Sequence, residues 1–216
     1  YDVAVKAAKA GLQIVIFEKQ HYGGTCLNVG CIPTKTLCKN AELLEEIKAA
    51  EQFGIDIKES SLDMSRVIAR KNGIVEKLSG AIEALMKTPG ITLVKGEARF
   101  IDAHTVGAGD HVFTAPNIII ATGSTTKFLP IEGAHSKGVV TSAEMLNLEY
   151  VPKRLCVIGG GVIGLEFASI FNTFGSDVTV IEFCKEILPP FDRDIAKRLR
   201  TILKKKGIDF KIGSAV

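Results

Sequence analysis

The chain has 216 residues, 46% of them hydrophobic and 24% charged, which is enough to bury one sizeable core or two smaller ones. No apolar run approaches the roughly 18 to 20 residues that span a bilayer, and no signal-like segment opens the chain, so a soluble, unsecreted protein with no membrane partner is expected. The net charge of +3 comes from 27 basic and 24 acidic residues scattered along the sequence, so nucleic acid is not an expected partner, and the run Lys204 to Lys206 reads as the solvated end of a helix.

The segment from Ala4 to Ala10 is helix-like and stops at Gly11, and Gln13 to Phe17 is a β-rich apolar run closed by Glu18. From Pro33 to Gln52 the residues Leu37, Ala41, Leu44, Ile47 and Ala50 recur at helical spacing, with Gly54 as the stop. A second long helix is predicted from a cap at Asp63 to Lys87. Short strands are predicted around Ile91 to Val94, Ala98 to Ile101, His111 to Phe113 and Asn117 to Ala121, as a small antiparallel insertion that returns to a buried strand. Past Pro152 the order becomes strand (154–158), glycine turn, helix (162–174), strand (178–181), helix (192–206) and strand (208–212). This is a parallel βαβαβ opening, so the fold class is α/β with two Rossmann-like nucleotide-binding domains that meet near residue 150.

In the second half, Gly159, Gly161 and Gly164 form a GxGxxG pattern between an apolar strand and an amphipathic helix. The first glycine permits the tight turn, the second lets backbone approach a pyrophosphate, and the third lets helix and strand pack closely. Glu182 ends the next strand, where a carboxylate accepts from a ribose diol and repels a 2′-phosphate, favouring NAD over NADP. A glycine turn serving packing alone is the competing reading.

In the first half, Cys26 and Cys31 stand five positions apart within GGTCLNVGCIPTK. On a regular helix their Cα atoms would lie about 8 to 9 Å apart, whereas a disulfide needs about 4.4 to 6.8 Å. Gly30 loosens the intervening backbone and Pro33 pushes Ile32 away from helical geometry, so the pair is expected within bonding range on an irregular turn at a helix start. The alternatives are a zinc half-site, for which further ligands at close spacing are wanting, and two inert thiols. Five cysteines without a secretion signal argue against a structural disulfide framework, and Cys38, Cys156 and Cys184 read as buried free thiols. Lowering a thiol pKa from about 8.5 to about 7 takes roughly 2 kcal/mol, and a helix N-terminus gives about 0.3 to 1 kcal/mol. A further positive charge is therefore wanted, and Lys35 is the nearest.

With these residues in view, nearly the whole chain resembles the FAD-dependent pyridine-nucleotide disulfide oxidoreductases, and Leu27, Ile32, Thr34 and Glu182 resemble the lipoamide-oxidising branch more than the glutathione or mercury branches. The resemblance implies that Glu18, followed by Lys19, binds the FAD ribose. It implies that Gly24, Thr25 and Lys35 contact flavin and its phosphates, that Gly96 meets the adenine side, and that Ala121, Thr122 and Gly123 close over FAD. Gly159, Gly161, Val162, Ile163, Gly164, Glu166 and Glu182 match the family's NAD site. Cys26 is then the interchange thiol and Cys31 the one facing the flavin, carrying electrons from dihydrolipoamide to FAD and on to NAD, with no metal.

The implied partners are a lipoyl-bearing protein of a 2-oxo acid dehydrogenase or glycine cleavage complex and a second copy in a homodimer, in the cytoplasm of a bacterium or a mitochondrial matrix. Residues 1–150 would be the FAD domain and 151–216 the start of the NAD domain, with the C-terminal dimerisation domain lacking. Another disulfide reductase of the family, or a catalytically incompetent nucleotide-binding fragment, are the alternatives. The family's first GxGxxG is missing between Val3 and Ala4, through either a true deletion or residues left out between them, and the 216 residues alone are expected to be inactive towards lipoamide.

Overall fold

The computed structural model describes Tyr1 to Val216. The chain opens with helix α1 (Asp2–Lys9), strand β1 (Ile14–Glu18) and the short helix α2 (Gly24–Val29), followed by the long helices α3 (Cys31–Ala49) and α4 (Met64–Leu85). Strands β2 (Ile91–Lys95), β3 (Arg99–Phe100), β4 (Thr105–Ala108) and β5 (His111–Thr114) come next, then a single-turn helix α5 (Ser142–Met145). The second half runs β6 (Arg154–Ile158), α6 (Val162–Phe174), β7 (Asp177–Glu182), α7 (Arg193–Lys205) and β8 (Asp209–Ile212), an α/β arrangement of Rossmann type. No helix is long and apolar enough to cross a membrane.

Two compact units arise, each built from two stretches: Tyr1–Ile32 with Gly73–Thr125, and Pro33–Asn72 with Thr126–Val216. In the first, β1 and β2 pair in parallel from Ile14 opposite Ile91 to Glu18 opposite Lys95. Beside them β3, β4 and β5 form an antiparallel meander, and Phe17 meets Phe113 edge-on at 5.9 Å. The antiparallel insertion read from the sequence is thus present.

In the second unit β6, β7 and β8 lie side by side in parallel. Val178 and Val180 alternate onto one face of β7 and are fully buried against Leu165 and Ala168 of α6 and Ala196 and Leu203 of α7. The opposite side of α6 supplies Phe167, Ile170 and Phe171 to a second cluster with Leu37, Ala41, Val67 and Ile68 from α3 and α4. A helix apolar on several sides is buried on several sides, and each such large side chain contributes roughly 1.5 to 3 kcal/mol. Glu45 of α3 accepts from Thr173 Oγ1 at 2.9 Å and from Lys206 Nζ at 2.9 Å, so one carboxylate ties three helices. The Lys206 ammonium holds that carboxyl below its ordinary range.

The structure departs from the sequence reading at several places. Val3 and Ala4 both lie inside α1, which starts two residues before the predicted helix and in which Val5 N donates to Tyr1 O at 3.0 Å. Residues 117–121 form no strand, and Ile119 and Ile120 are exposed, because β-branched residues make a strand only where a neighbouring strand takes their backbone groups. β4 was hidden by Gly107 and Gly109, and α5 by its brevity, although Thr141 and Glu144 form a capping box. Pro33 does not interrupt the helix. It sits in the first turn of α3, where its missing N–H has no helical partner to lose.

Lys71 of α4 is buried, its Nζ donating to Asn147 Oδ1 at 2.7 Å, and burial pushes its pKa down. The fold therefore favours the neutral amine, and stability gained from losing that proton rises as pH climbs through the folded pKa towards the unfolded value of about 10.4. The denaturation midpoint of the native chain, measured against Lys71→Met at each pH, is expected to climb over that alkaline window. A difference that stays flat contradicts the assignment.

Candidate functional site

Cys26 and Cys31 are joined as a disulfide with Cα atoms 4.6 Å apart. Cys26 is inside α2 and Cys31 is the first residue of α3, so the bridge spans the junction between two helices. Gly30 makes this approach possible: a Cβ there would lie 2.9 Å from Thr25 O and 3.1 Å from Cys26 Cα. Ahead of the pair, Gly23 and Gly24 adopt φ of +103° and +72°, values that side-chain-bearing residues rarely reach, and they turn the chain into α2. Asn28 secures the turn by donating to Tyr22 O and Gly24 O, both at 2.9 Å. The two cysteines are exposed, and their sulfurs are bonded to each other.

Lys35, expected near flavin and the thiols, is ion-paired with Glu166 of α6. That hydrogen bond raises the Lys35 pKa, so its positive charge is fixed on a carboxylate. The pairing joins the first turns of α3 to the glycine-turn helix, 131 positions away, and neither segment carries a local sign of it. Cys38, one turn beyond Lys35, lines a groove of about 530 Å³ with Leu165, Phe191 and Leu203, and burial pushes its thiol pKa up. Cys156 and Cys184 are exposed, contrary to expectation: Cys156 is on the outward side of β6 and Cys184 follows the end of β7.

The glycine turn lies between β6 and α6. Gly159 has φ of +105°, and Gly161 caps α6 with no side-chain cap and with open space where its Cβ would be. A Cβ on Gly164 would overlap Gly159 O and lie 3.1 Å from Val157 Cγ1, which fixes that residue as glycine by contact. Val162 and Ile163 open α6 with exposed side chains. Glu182 is buried at the end of β7, accepting from Gly160 N at 2.6 Å and Cys184 N at 2.7 Å. The Cys184 thiol also hydrogen-bonds this carboxylate, so of its roughly four acceptor sites about one remains for a ribose hydroxyl. An uncapped helix N-terminus, backbone open to approach and an anchored acid fit a dinucleotide.

The residues that resemble a flavin site are less complete. Glu18 ends β1 with Oε1 accepting from Gln20 N at 2.7 Å, and Gly96 N donates to Glu18 O at 3.0 Å, which sets them side by side at the end of the parallel pair. Lys19 is exposed and lies 3.7 Å from Glu97. Thr25 is exposed in α2, and Ala121, Thr122 and Gly123 are exposed in an irregular stretch. Continuous helix occupies Val3 and Ala4, where the glycine turn would stand, and the first turn of α1 carries Asp2, a charge of the wrong sign for a phosphate. Glu18 and Gly96 thus stand together at the end of β1 and β2, and no glycine turn stands at Val3 and Ala4.

The sequence profile described as pyridine nucleotide-disulphide oxidoreductase matches residues 1–216. A dihydrolipoyl dehydrogenase of Acholeplasma laidlawii is 42% identical over 214 residues, covering 97% of this chain and 64% of that protein. That of Bacillus subtilis is 38% identical, covering 100% and 48%, and the mitochondrial one of Schizosaccharomyces pombe is 40% identical, covering 98% and 43%. The chain thus spans about half to two thirds of the length of these relatives. Among solved structures, the Cu(II) complex of the HOCl-induced flavoprotein disulfide reductase RclA of Escherichia coli superposes with a TM-score of 0.86 at 38% identity, covering all of this chain and 46% of that one.

Gly30→Ala tests whether the disulfide depends on the close approach of α2 and α3. The added methyl is expected to cost about 1 to 3 kcal/mol in unfolding free energy and to lower the fraction of Cys26–Cys31 disulfide recovered under mild oxidation, read by thiol counting. Full disulfide recovery with unchanged stability contradicts it.

Proposed function

This chain belongs to the pyridine nucleotide-disulphide oxidoreductase family, whose cofactors are FAD and NAD, and on that premise we propose that it is the disulfide-bearing part of a dihydrolipoyl dehydrogenase. The observation that carries the reading is the exposed Cys26–Cys31 disulfide across the Gly30 junction. The lipoamide assignment draws support from the dihydrolipoyl dehydrogenases at 38% to 42% identity and from the acid at Glu182.

In this reading residues 1–150 belong to the flavin side and 151–216 to the NAD side. Cys26 exchanges with the dithiol of a lipoyl group, and Cys31 retains the released sulfur at the start of α3. Gly159 to Gly164 receive the pyrophosphate of NAD at the α6 N-terminus, and Glu182 accepts from the adenosine ribose. Lys35 and Glu166 hold α3 and α6 to one another through their ion pair. When bound, FAD supplies the electron-accepting ring between disulfide and nicotinamide. Glu18, Gly24, Thr25, Gly96 and Ala121 to Gly123 are the residues that would meet it, and the missing glycine turn leaves this chain alone without NAD-linked lipoamide turnover.

The partners are a lipoyl-bearing protein of a 2-oxo acid dehydrogenase or glycine cleavage complex and a second copy of the parent protein, in a bacterial cytoplasm or a mitochondrial matrix. A second reading, a disulfide reductase of other specificity, is favoured by the superposition on RclA. Reduction of the Cys26–Cys31 disulfide by dihydrolipoamide and by glutathione separates the two, since a lipoamide enzyme favours the dithiol.

The dinucleotide assignment predicts that the chain binds NADH at least about tenfold more tightly than NADPH, a difference of about 1.4 kcal/mol. Glu182→Ala removes that preference, and titration by nucleotide fluorescence reads both. Equal affinity for the two nucleotides in the native chain contradicts the role given to Glu182.

A further inference from the structure

Charge is unevenly spread over the second unit. Helix α7 holds six basic residues and one acidic one, more positive charge than the +3 of the whole chain. Some of its cations are paired: Lys197 lies 4.0 Å from Asp194 and Arg200 lies 2.7 Å from Glu186, and just past the helix Lys206 lies 2.9 Å from Glu45. Arg193, Arg198, Lys204 and Lys205 are exposed and have no carboxylate partner.

Ile195, Arg198, Ile202 and Lys205 follow one another at steps of three and four residues, so they lie along one face of the helix. Both isoleucines are exposed there, at 62% and 47%, while Ala196 and Leu203 on the inner side are buried. Water accounts for the cations of such a face and not for its isoleucines.

The complementary chemistry stands at the end of α3. Every residue from 51 to 60 is exposed, and Phe53, Ile55 and Ile57 present 79%, 57% and 44% of their surface to water. Beside them are Glu51, Asp56 and Glu59, with Lys58 as the one cation of the stretch. None of these three carboxylates is ion-paired. Gly54 shapes the turn at φ of +74°, with Gly54 N donating to Glu51 O at 2.9 Å and Ile55 N to Ala50 O at 3.2 Å. The apolar residues are thus displayed on a hydrogen-bonded turn.

We propose that two copies of this chain associate through these surfaces, the 51–59 turn of each lying on the α7 face of the other, with Arg198 and Lys205 set against Asp56 and Glu59. Burying the isoleucines and Phe53 removes apolar area from water, and the opposed charges fix the register and speed encounter. A two-fold arrangement uses both surfaces of both copies, and like charges disfavour α7 on α7 or turn on turn. An anionic bilayer would match the cations of α7 but would repel Asp194 and leave the acidic turn uncovered. Neither surface contains the cysteine pair or the glycine turn, so the contact is independent of the function proposed above and of its tests.

Sedimentation of the purified chain from about 5 to 500 μM is expected to show a reversible monomer–dimer equilibrium, the range in which a small polar contact operates. Its dissociation constant is expected to rise at least about fivefold between roughly 50 and 500 mM salt. Arg198→Glu with Lys205→Glu, and separately Asp56→Lys with Glu59→Lys, are each expected to leave the chain monomeric, since both contacts then oppose like charges. Mixing these two doubly substituted chains is expected to restore a dimer, because the acidic α7 of one meets the basic turn of the other and each remaining native surface meets its native complement. Circular dichroism and a thermal midpoint equal to the native chain's show that the substituted chains are folded. A native chain that stays monomeric throughout, including one that binds phosphatidylserine vesicles instead, overturns the proposal. Substituted chains that still dimerise, or a mixture of the two that stays monomeric, overturn it as well.

Discussion

The rest of the site depends on how closely two helices can approach at one residue without a side chain. Were α2 and α3 continuous, sulfurs five positions apart would face different directions and could not bond. The absence of a Cβ at Gly30 lets the end of α2 fold against Thr25 and Cys26, bringing the Cα atoms of the two cysteines to 4.6 Å. Pro33, placed in the first turn of α3, is accommodated at no loss of helical hydrogen bonding. The bridge thus begins a helix rather than distorting one.

A comparable logic governs the glycine turn before α6. Gly164 is fixed by contact, since any side chain would strike Gly159 O, whereas Gly161 faces open space and is suited to a ligand's approach. Glu182 joins these functions by tying its carboxylate to Gly160 N across the turn. The same residue that suits a ribose diol therefore also braces the loop that suits a pyrophosphate. Further along α6, Glu166 holds Lys35, so one helix takes part in the glycine turn and in the ion pair with α3.

Much of this was legible from local chemistry. The cap at Asp63 starts α4 where the sequence places it, and α7 begins one residue past its expected start because Asp192 caps it, Oδ1 accepting from Asp194 N at 2.9 Å. The apolar spacing in α3 read correctly because it reports burial on a known period. The cysteine pair was readable because Gly30 flagged a break in an otherwise helical stretch. What failed was non-local. Residues 117–121 have strand-forming side chains, but strand formation also needs a neighbour, which no short window contains. The Lys35–Glu166 pair and the Glu182 bond to Gly160 join residues 131 and 22 positions apart and leave no mark on either segment.

The isoleucines at 119 and 120 carry a consequence of their own. They stand 71% and 69% exposed in an uncharged run that belongs to no strand. Water gains nothing from such a surface, and other copies of the same run offer both apolar cover and backbone hydrogen bonds. A lysine at either position would put a charge into that run and oppose pairing between copies.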